Sequence, residues 1–350
     1  MNLQLPVIDS IADTELEARL QYKINHLTKP LGSLGQIEAL ALQLGLICQS
    51  ESPHLVEPQL LVFAGDHGLA QQGVSAYPGD VTWQMVENFL SGGACVSVLC
   101  KNQNIALNVV DCGVKHDFHE PNQPPRKGLL HYKIAYGTQD SSRYSAMTYE
   151  QCQNAIQNGM TLAAQLPGNV LLLGEMGIGN TSAASLIMSR MLQLDIAQCT
   201  GAGTGLDSAG ITHKTNVLRQ VLERHLHVTQ PLDVLATFGG FEMACMLGAV
   251  LQAAHERRVI VVDGFITTAV ILLAHALQPY VLQRCVFAHR SDERAHNLML
   301  QHLQVKPLLD LGMRLGEGSG AAMAWPLLLS ASHIMQEMAS FAAAGVDEKL

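Results

Sequence analysis

Five short apolar runs punctuate the chain, at residues 60–64, 105–110, 170–173, 259–262 and 286–288. None alternates apolar with polar residues, and most are rich in β-branched side chains, the pattern of strands covered on both faces. Each gives way to glycine or polar residues: Gly65-Asp-His-Gly68, Asp111-Cys-Gly113, Gly174-Glu-Met-Gly177, Asp263-Gly264 and His289-Arg-Ser291. Helical periodicity resumes soon after most of them. The repeat predicts an α/β fold, a doubly wound, mainly parallel sheet with helices on both faces. Loops of such a sheet leave its carboxyl edge, and ligands settle where the strand order switches. The polar residues of five separated segments should therefore share one crevice. The two chain ends read differently. Residues 13–27 and 36–48 are helical by period, with Ile37, Leu40, Ala41 and Leu44 on one apolar face, and 320–341 forms a long apolar helix. We expect a large doubly wound domain over 50–310 and a small helical domain built from 1–49 and 311–350. The proline-rich segment 115–133 has little periodicity and reads as a surface excursion.

Composition narrows the function. Charged residues make up 15% of the 350, with a formal net charge of −9. An acidic chain is poorly suited to nucleic acid, whose phosphates demand a basic face, but one lysine and a few backbone N–H groups can hold a small anion. No apolar stretch is long enough to span a bilayer. The N-terminal residues carry neither a basic region nor a cleavage signal. Eight cysteines without a C-x-x-C pair read as reduced thiols of a cytoplasmic protein. Among fifteen histidines only His225 and His227 approach ligand spacing, and their charged surroundings read as a solvated helix end. No metal is expected.

The candidate chemistry lies in the loops. In Leu311-Gly-Met-Arg-Leu-Gly-Glu317-Gly-Ser-Gly-Ala321 one carboxylate stands between glycines just before an apolar run. Glu317 either caps the following helix or is a desolvated carboxylate whose raised pKa lets it move protons. Gly316 and Gly318 would leave clearance for an approaching ring. Glu175 stands in Gly174-Glu-Met-Gly177-Ile-Gly179-Asn180-Thr181, a strand-to-helix turn suited to an anion at its N–H groups, although an acid there suits a ribose hydroxyl or a developing positive charge better. A second glycine loop, Thr200-Gly-Ala-Gly203-Thr204-Gly205-Leu-Asp207, precedes Lys214, a cation for a single phosphate. Tyr77, Pro78, Gln84 and Met85 offer a flat apolar wall with one hydrogen-bonding amide, or else belong to an ordinary amphipathic helix. The pair Asp66 and His67 hints at a hydrolase, but no G-x-S-x-G elbow accompanies it.

Eight segments taken together resemble one family. They are Lys29-Pro-Leu-Gly-Ser-Leu-Gly35, Ala64-Gly-Asp-His-Gly68, Gly73-Val-Ser-Ala-Tyr-Pro78, Gly174-Glu-Met-Gly-Ile-Gly-Asn-Thr181, Thr204-Gly-Leu-Asp207, Gly239-Gly-Phe-Glu242, Val262-Asp-Gly-Phe265 and the stretch 311–320. In this order they look like the nicotinate-nucleotide:5,6-dimethylbenzimidazole phosphoribosyltransferases of cobalamin synthesis. The resemblance implies transfer of phosphoribose from nicotinate mononucleotide to 5,6-dimethylbenzimidazole with inversion, giving α-ribazole 5′-phosphate and nicotinate. It implies Glu317 as general base and Glu175 beside the ribose. It implies that Gly177, Gly179, Asn180, Thr181, Gly203, Thr204, Gly205, Lys214, Asp263 and Ser291 hold the nucleotide, and that Tyr77, Pro78, Gln84, Met85 and Leu315 flank the base. It also implies a homodimer and no cofactor. The leaving pyridinium is already cationic, so the step needs one base and an anionic surrounding. Ala295 stands where the family pattern leads one to expect glycine, which is harmless at negative φ. Two other readings compete, a nicotinate-nucleotide hydrolase and a non-catalytic nucleotide sensor.

Overall fold

The computed structural model describes residues 3–118, 126–203 and 205–347. The elements run α1 (Thr14–His26), α2 (Gln36–Cys48), β1 (Gln59–Gly65), α3 (Val81–Ser91), α4 (Cys95–Asn102), β2 (Ala106–Gly113), β3 (Leu129–His131), α5 (Tyr149–Gln165) and β4 (Val170–Met176). They continue α6 (Asn180–Leu192), α7 (Ile196–Cys199), α8 (Ser208–Arg224), α9 (Pro231–Phe238), α10 (Phe241–His255), β5 (Val259–Val262), α11 (Phe265–Leu277), β6 (Cys285–Phe287), α12 (His296–His302), α13 (Ser319–Glu337) and α14 (Phe341–Ala344).

All six strands join one sheet in the order β3-β2-β1-β4-β5-β6, every pair parallel. The five apolar runs are five of these strands. The sixth corrects the sequence reading, because β3 lies within the supposed surface excursion and pairs with β2 through Leu129, Leu130 and His131. Three residues at a sheet edge, going from buried to exposed, leave no apolar run to read.

Side chains alternate between two cores, as the strand period demands. Leu61, Phe63, Leu171, Leu173, Ile260 and Val262 face the cluster under α5, α6, α10 and α11. Leu60, Val62, Leu172, Val259 and Val261 face the one under α1, α2, α4 and α13. On the first face α5 and α10 nearly touch backbone to backbone. A Cβ on Gly248 would stand 1.9 Å from the Ile156 carbonyl oxygen, and one on Gly159 would stand 1.8 Å from that of Cys245. Gly248→Ala should therefore force the two helices apart and destabilise the protein by about 2 kcal/mol, readable as a lower urea midpoint at unchanged slope. On the second face α13 packs against α2 and α4, so both chain ends lie against the sheet.

The chain winds outward from β1 to β3 in one direction and from β4 to β6 in the other. The switch falls between β1 and β4, and the crevice lies beyond their carboxyl ends.

Candidate active site

A cavity of about 670 Å³ opens at that edge. The end of β4, the turn after it and the first residues of α6 supply Glu175, Met176, Gly177, Ile178, Asn180 and Thr181 to its wall. The loop after β5 supplies Asp263 and Gly264, followed by the first turn of α11. The stretch after β6 supplies His289, Ser291 and Glu293, the segment before α13 supplies Arg314, Leu315, Gly316 and Glu317, and the far wall is Tyr77, Val81 and Met85.

Glu317 is placed by an unusual backbone. Gly316, Glu317 and Gly318 all take the left-handed conformation, at φ of +80°, +64° and +83°. Glycine accepts this freely, whereas a residue with a Cβ is disfavoured there by about 1–2 kcal/mol. The turn passes directly over β4 at Gly174, where a Cβ would stand 2.7 Å from the Glu317 carbonyl oxygen. A Cβ on Gly316 would meet Glu175 Oε1 at 2.5 Å, and one on Gly318 would meet Leu60 and Gly174. Both glycines are thus required by the protein's own backbone and neighbours, whether or not a ring approaches them. Capping does not explain Glu317 either, since Gly318 occupies the cap of α13 without a side-chain bond. The cap comes from elsewhere. Asp263 Oδ2 accepts from the Gly318 N–H at 3.2 Å and Oδ1 from the Ala321 N–H at 2.9 Å.

Three carboxyl groups crowd this corner. Burial, reinforced by the charge of Asp263, raises Glu317 to about 7. Burial and Asp263 also push Glu175 well above the usual carboxylate range, against its bonds from the Glu317 N–H at 3.3 Å and from the Asn180 amide. Asp263 itself is raised by burial, opposed by His289, whose Nε2 lies 3.9 Å away, and by the helix N–H groups. Like charges so close titrate as a set. All three are pushed toward their neutral forms, and Glu317 is kept as a proton acceptor near neutral pH.

Across the cavity the second glycine loop meets a buried cation. Lys214 is 1% exposed and its Nζ donates to Thr181 Oγ1 at 3.0 Å. Burial lowers it to about 8, opposed by Glu293. Arg314 donates to the Gly203 carbonyl at 3.2 Å.

Beneath the floor lies a second pair. His67 Nε2 is 2.6 Å from Glu242 Oε1, both buried. Burial alone would favour a neutral ring, but Glu242 and then Asp66 outweigh it and raise His67. The pair supports the β4 turn, since a Cβ on Gly177 would lie 3.4 Å from the His67 ring. Its ion-pair stabilisation is fully present below the unfolded histidine pKa and fades as pH rises through the folded one. Glu242→Gln should therefore cost about 2 kcal/mol at pH 6 and less at pH 9, as read from paired denaturation curves. The Asp66–His67 hint of a hydrolase is thus replaced by a buried His–Glu buttress.

A family model described as phosphoribosyltransferase matches residues 10–346. Nicotinate-nucleotide–dimethylbenzimidazole phosphoribosyltransferase of Variovorax paradoxus is 60% identical over 348 residues, covering 99% of this chain and 98% of that protein. Its namesake in Janthinobacterium sp. is 50% identical over 345 residues, covering 98% and 99%. The chain belongs to the nicotinate-nucleotide–dimethylbenzimidazole phosphoribosyltransferase family. The crystal structure of CobT from Thermus thermophilus superposes with a TM-score of 0.91 at 36% identity, over 96% of this chain and all of that one. The chain is accordingly an enzyme, a phosphoribosyltransferase.

Of the site residues expected from the sequence, Glu317, Glu175, Gly177, Asn180, Thr181, Gly203, Asp263, Ser291, Tyr77, Met85 and Leu315 line the cavity together. Lys214 sits one side chain behind it, against Thr181. Gly179 lies under the β4 turn, where a Cβ would meet His67 and Ala70. Pro78, Gln84 and Gly205 are exposed and outside the lining, and Thr204 falls outside the described residues. On α3, Val81 and Met85 stand one turn apart and face the cavity, while Gln84, about 100° round the helix from Met85, is turned to solvent. Val81, Met176, Ile178, Phe265, His289, Glu293 and Arg314 line the cavity unanticipated. Met176, Ile178, Phe265, His289 and Arg314 stand inside quoted motifs that gave them no role, and Val81 and Glu293 stand just outside quoted motifs. Ala295 has φ −77°, so its Cβ is accommodated without strain. His225 is buried rather than solvated, with its ring nitrogen bonded to the Ser141 carbonyl at 3.0 Å.

Proposed function

We propose that this crevice transfers phosphoribose from nicotinate mononucleotide to 5,6-dimethylbenzimidazole by a single inverting displacement, with Glu317 as general base. The observation that carries the reading is a buried carboxylate, raised to about 7, on a cavity wall that also presents Tyr77, Met85 and Leu315. A benzimidazole nitrogen attacks C1′ as the bond to the pyridinium nitrogen breaks. The bonding pair returns to that ring and neutralises it, so the leaving group needs no acid. The proton on the other benzimidazole nitrogen goes to Glu317. A base near the working pH both accepts this proton and is free to receive it. Positive charge develops at C1′ beside the carboxyl cluster, where Glu175 faces the ribose and those carboxyl groups of the cluster that are ionised lower the barrier. Thr181, Gly203, Lys214 and Ser291 hold the phosphate end, and the apolar wall stacks the incoming ring at attack distance.

That wall favours transfer over hydrolysis, since water gains nothing from Tyr77, Met85 and Leu315. The names of the relatives point to the same pair of substrates. The reading extends to a homodimer, checked by light scattering, to the division between 50–310 and the two chain ends, and to a cytoplasmic setting. No helix among the described residues is long and apolar enough to cross a membrane. The deciding experiment is mass-spectrometric identification of the product from both substrates. α-Ribazole 5′-phosphate is expected. Rapid ribose 5-phosphate release from the nucleotide alone would instead indicate a hydrolase, and binding without any product a sensor.

A further inference from the structure

We infer that His296 and Thr268 are positioning residues that tie the loop after β6 to the loop after β5, and so fix where Ser291 meets the nucleotide. The inference rests on the reading of the crevice given above. Neither residue lines the cavity. His296 is completely buried, yet both ring nitrogens are used. The Ser291 N–H donates to Nδ1 at 2.9 Å, and Nε2 lies 2.9 Å from Thr268 Oγ1. Thr268 Oγ1 in turn donates to the Gly264 carbonyl at 2.7 Å.

The direction of this chain follows from its ends. A backbone N–H can only donate, so Nδ1 carries no proton and the neutral ring must hold its proton on Nε2. Nε2–H then donates to Thr268, whose single hydroxyl proton is left for the Gly264 carbonyl. Each group gives one bond and takes one, from Ser291 to Gly264, with no freedom to reverse. A doubly protonated ring would set a donor against the Ser291 N–H. Burial, helped by His289, accordingly holds His296 down to about 3. The segment is closed from the other side as well, because the His296 N–H donates to the Glu293 carbonyl at 2.9 Å.

An apolar side chain of similar volume would fill the space but would not set the distance between the two loops. A fully satisfied buried polar chain does set it. Its two ends are cavity-lining residues, and Gly264 follows Asp263, which caps the helix behind Glu317. Severing the chain should therefore loosen the grip on the nucleotide more than it slows the chemistry.

The test is Thr268→Val, which keeps the branched shape and removes the hydroxyl, beside Thr268→Ser, which restores it. Thr268→Val should raise KM for nicotinate mononucleotide about tenfold, leaving KM for dimethylbenzimidazole within about twofold and kcat within about threefold. Thr268→Ser should return the nucleotide KM to the wild-type value. His296→Asn combined with Thr268→Val should be no worse than His296→Asn alone, since either change cuts the same chain. A purely structural role would lower kcat through loss of active enzyme and leave KM unmoved. That result, an unchanged nucleotide KM, additive effects, or no rescue by serine would each overturn the inference. Titration calorimetry with nicotinate mononucleotide on Thr268→Val, expected to show about tenfold weaker binding, separates the two levels. Wild-type enzyme that binds the nucleotide but forms no ribosylated base would sink the functional reading, whereas wild-type-like binding by Thr268→Val would sink this one alone.

Discussion

Glu317→Gln should bind nicotinate mononucleotide as tightly as the wild type and turn over roughly 10²–10⁴ times more slowly, the usual contribution of a general base. Glutamine keeps the size of the side chain and the left-handed backbone at φ +64°. On the proposed mechanism, what it loses is the ability to take the benzimidazole proton. In the wild type, kcat/KM should fall with unit slope below about pH 7, as Glu317 becomes protonated. The residual activity of the variant should be flat through that range. Full turnover by Glu317→Gln would end the general-base assignment.

The same substitution carries a stability signature of opposite sign. Glu317 is raised to about 7 in the folded protein from an ordinary value of 4.5. Between these values the unfolded chain has already released a proton that the folded chain retains. The wild type therefore loses stability as pH rises from 4.5 to about 7 and levels off above that, and the neutral amide does not. At pH 8 the variant should be more stable by about 3 kcal/mol, with the gap closing by pH 4. A base kept in an apolar slot on a left-handed turn is thus destabilising in the state that works, a form of strain found at functional sites.

How much of this is legible in the sequence depends on where each signal originates. Strands buried on both faces announce themselves as β-branched runs, and α2 coincides with its apolar period. The convergence of three of the five predicted loops, 174–177, 263–264 and 289–291, on one crevice follows from a parallel sheet, whose loop ends share an edge, while 65–68 and 111–113 stay outside the lining. β3 escapes a sequence reading because an edge strand of three residues carries no such run. The glycines around Glu317 stand out in the sequence, but their purpose does not. It depends on Glu175 and Gly174 lying beneath the turn, and no local pattern reports a neighbour 142 residues away. Gln84 stands outside the lining because the residue beside Met85 on α3 is turned to solvent, an orientation that the sequence alone does not report. His296 gives no signal because a buried, fully bonded histidine resembles any other histidine in a sequence.

Asp263→Ala should produce the other large effect, on two observables at once. Asp263 is 2% exposed and accepts from the Gly318 and Ala321 N–H groups. Its removal strands buried donors at the start of α13, each costing about 1–3 kcal/mol, and withdraws an anion from the positive end of the helix. Against this stands relief from burying one of three neighbouring carboxylates. We expect a net loss of about 3 kcal/mol. Because the cap anchors the turn that carries Glu317, a displacement of about 1 Å there should slow transfer on the order of 10²-fold. The electrostatic consequence is separate. Asp263 is the second cause of the raised Glu317 pKa, after burial. Without it the acidic limb of kcat/KM should move below pH 7, yet stay above the ordinary 4.5 because burial persists. Asp263→Asn, which keeps one acceptor oxygen and loses the charge, should recover part of the stability while showing the same shifted limb. A limb that stays at pH 7 in both variants would mean that burial alone tunes Glu317 and that Asp263 acts only as a cap.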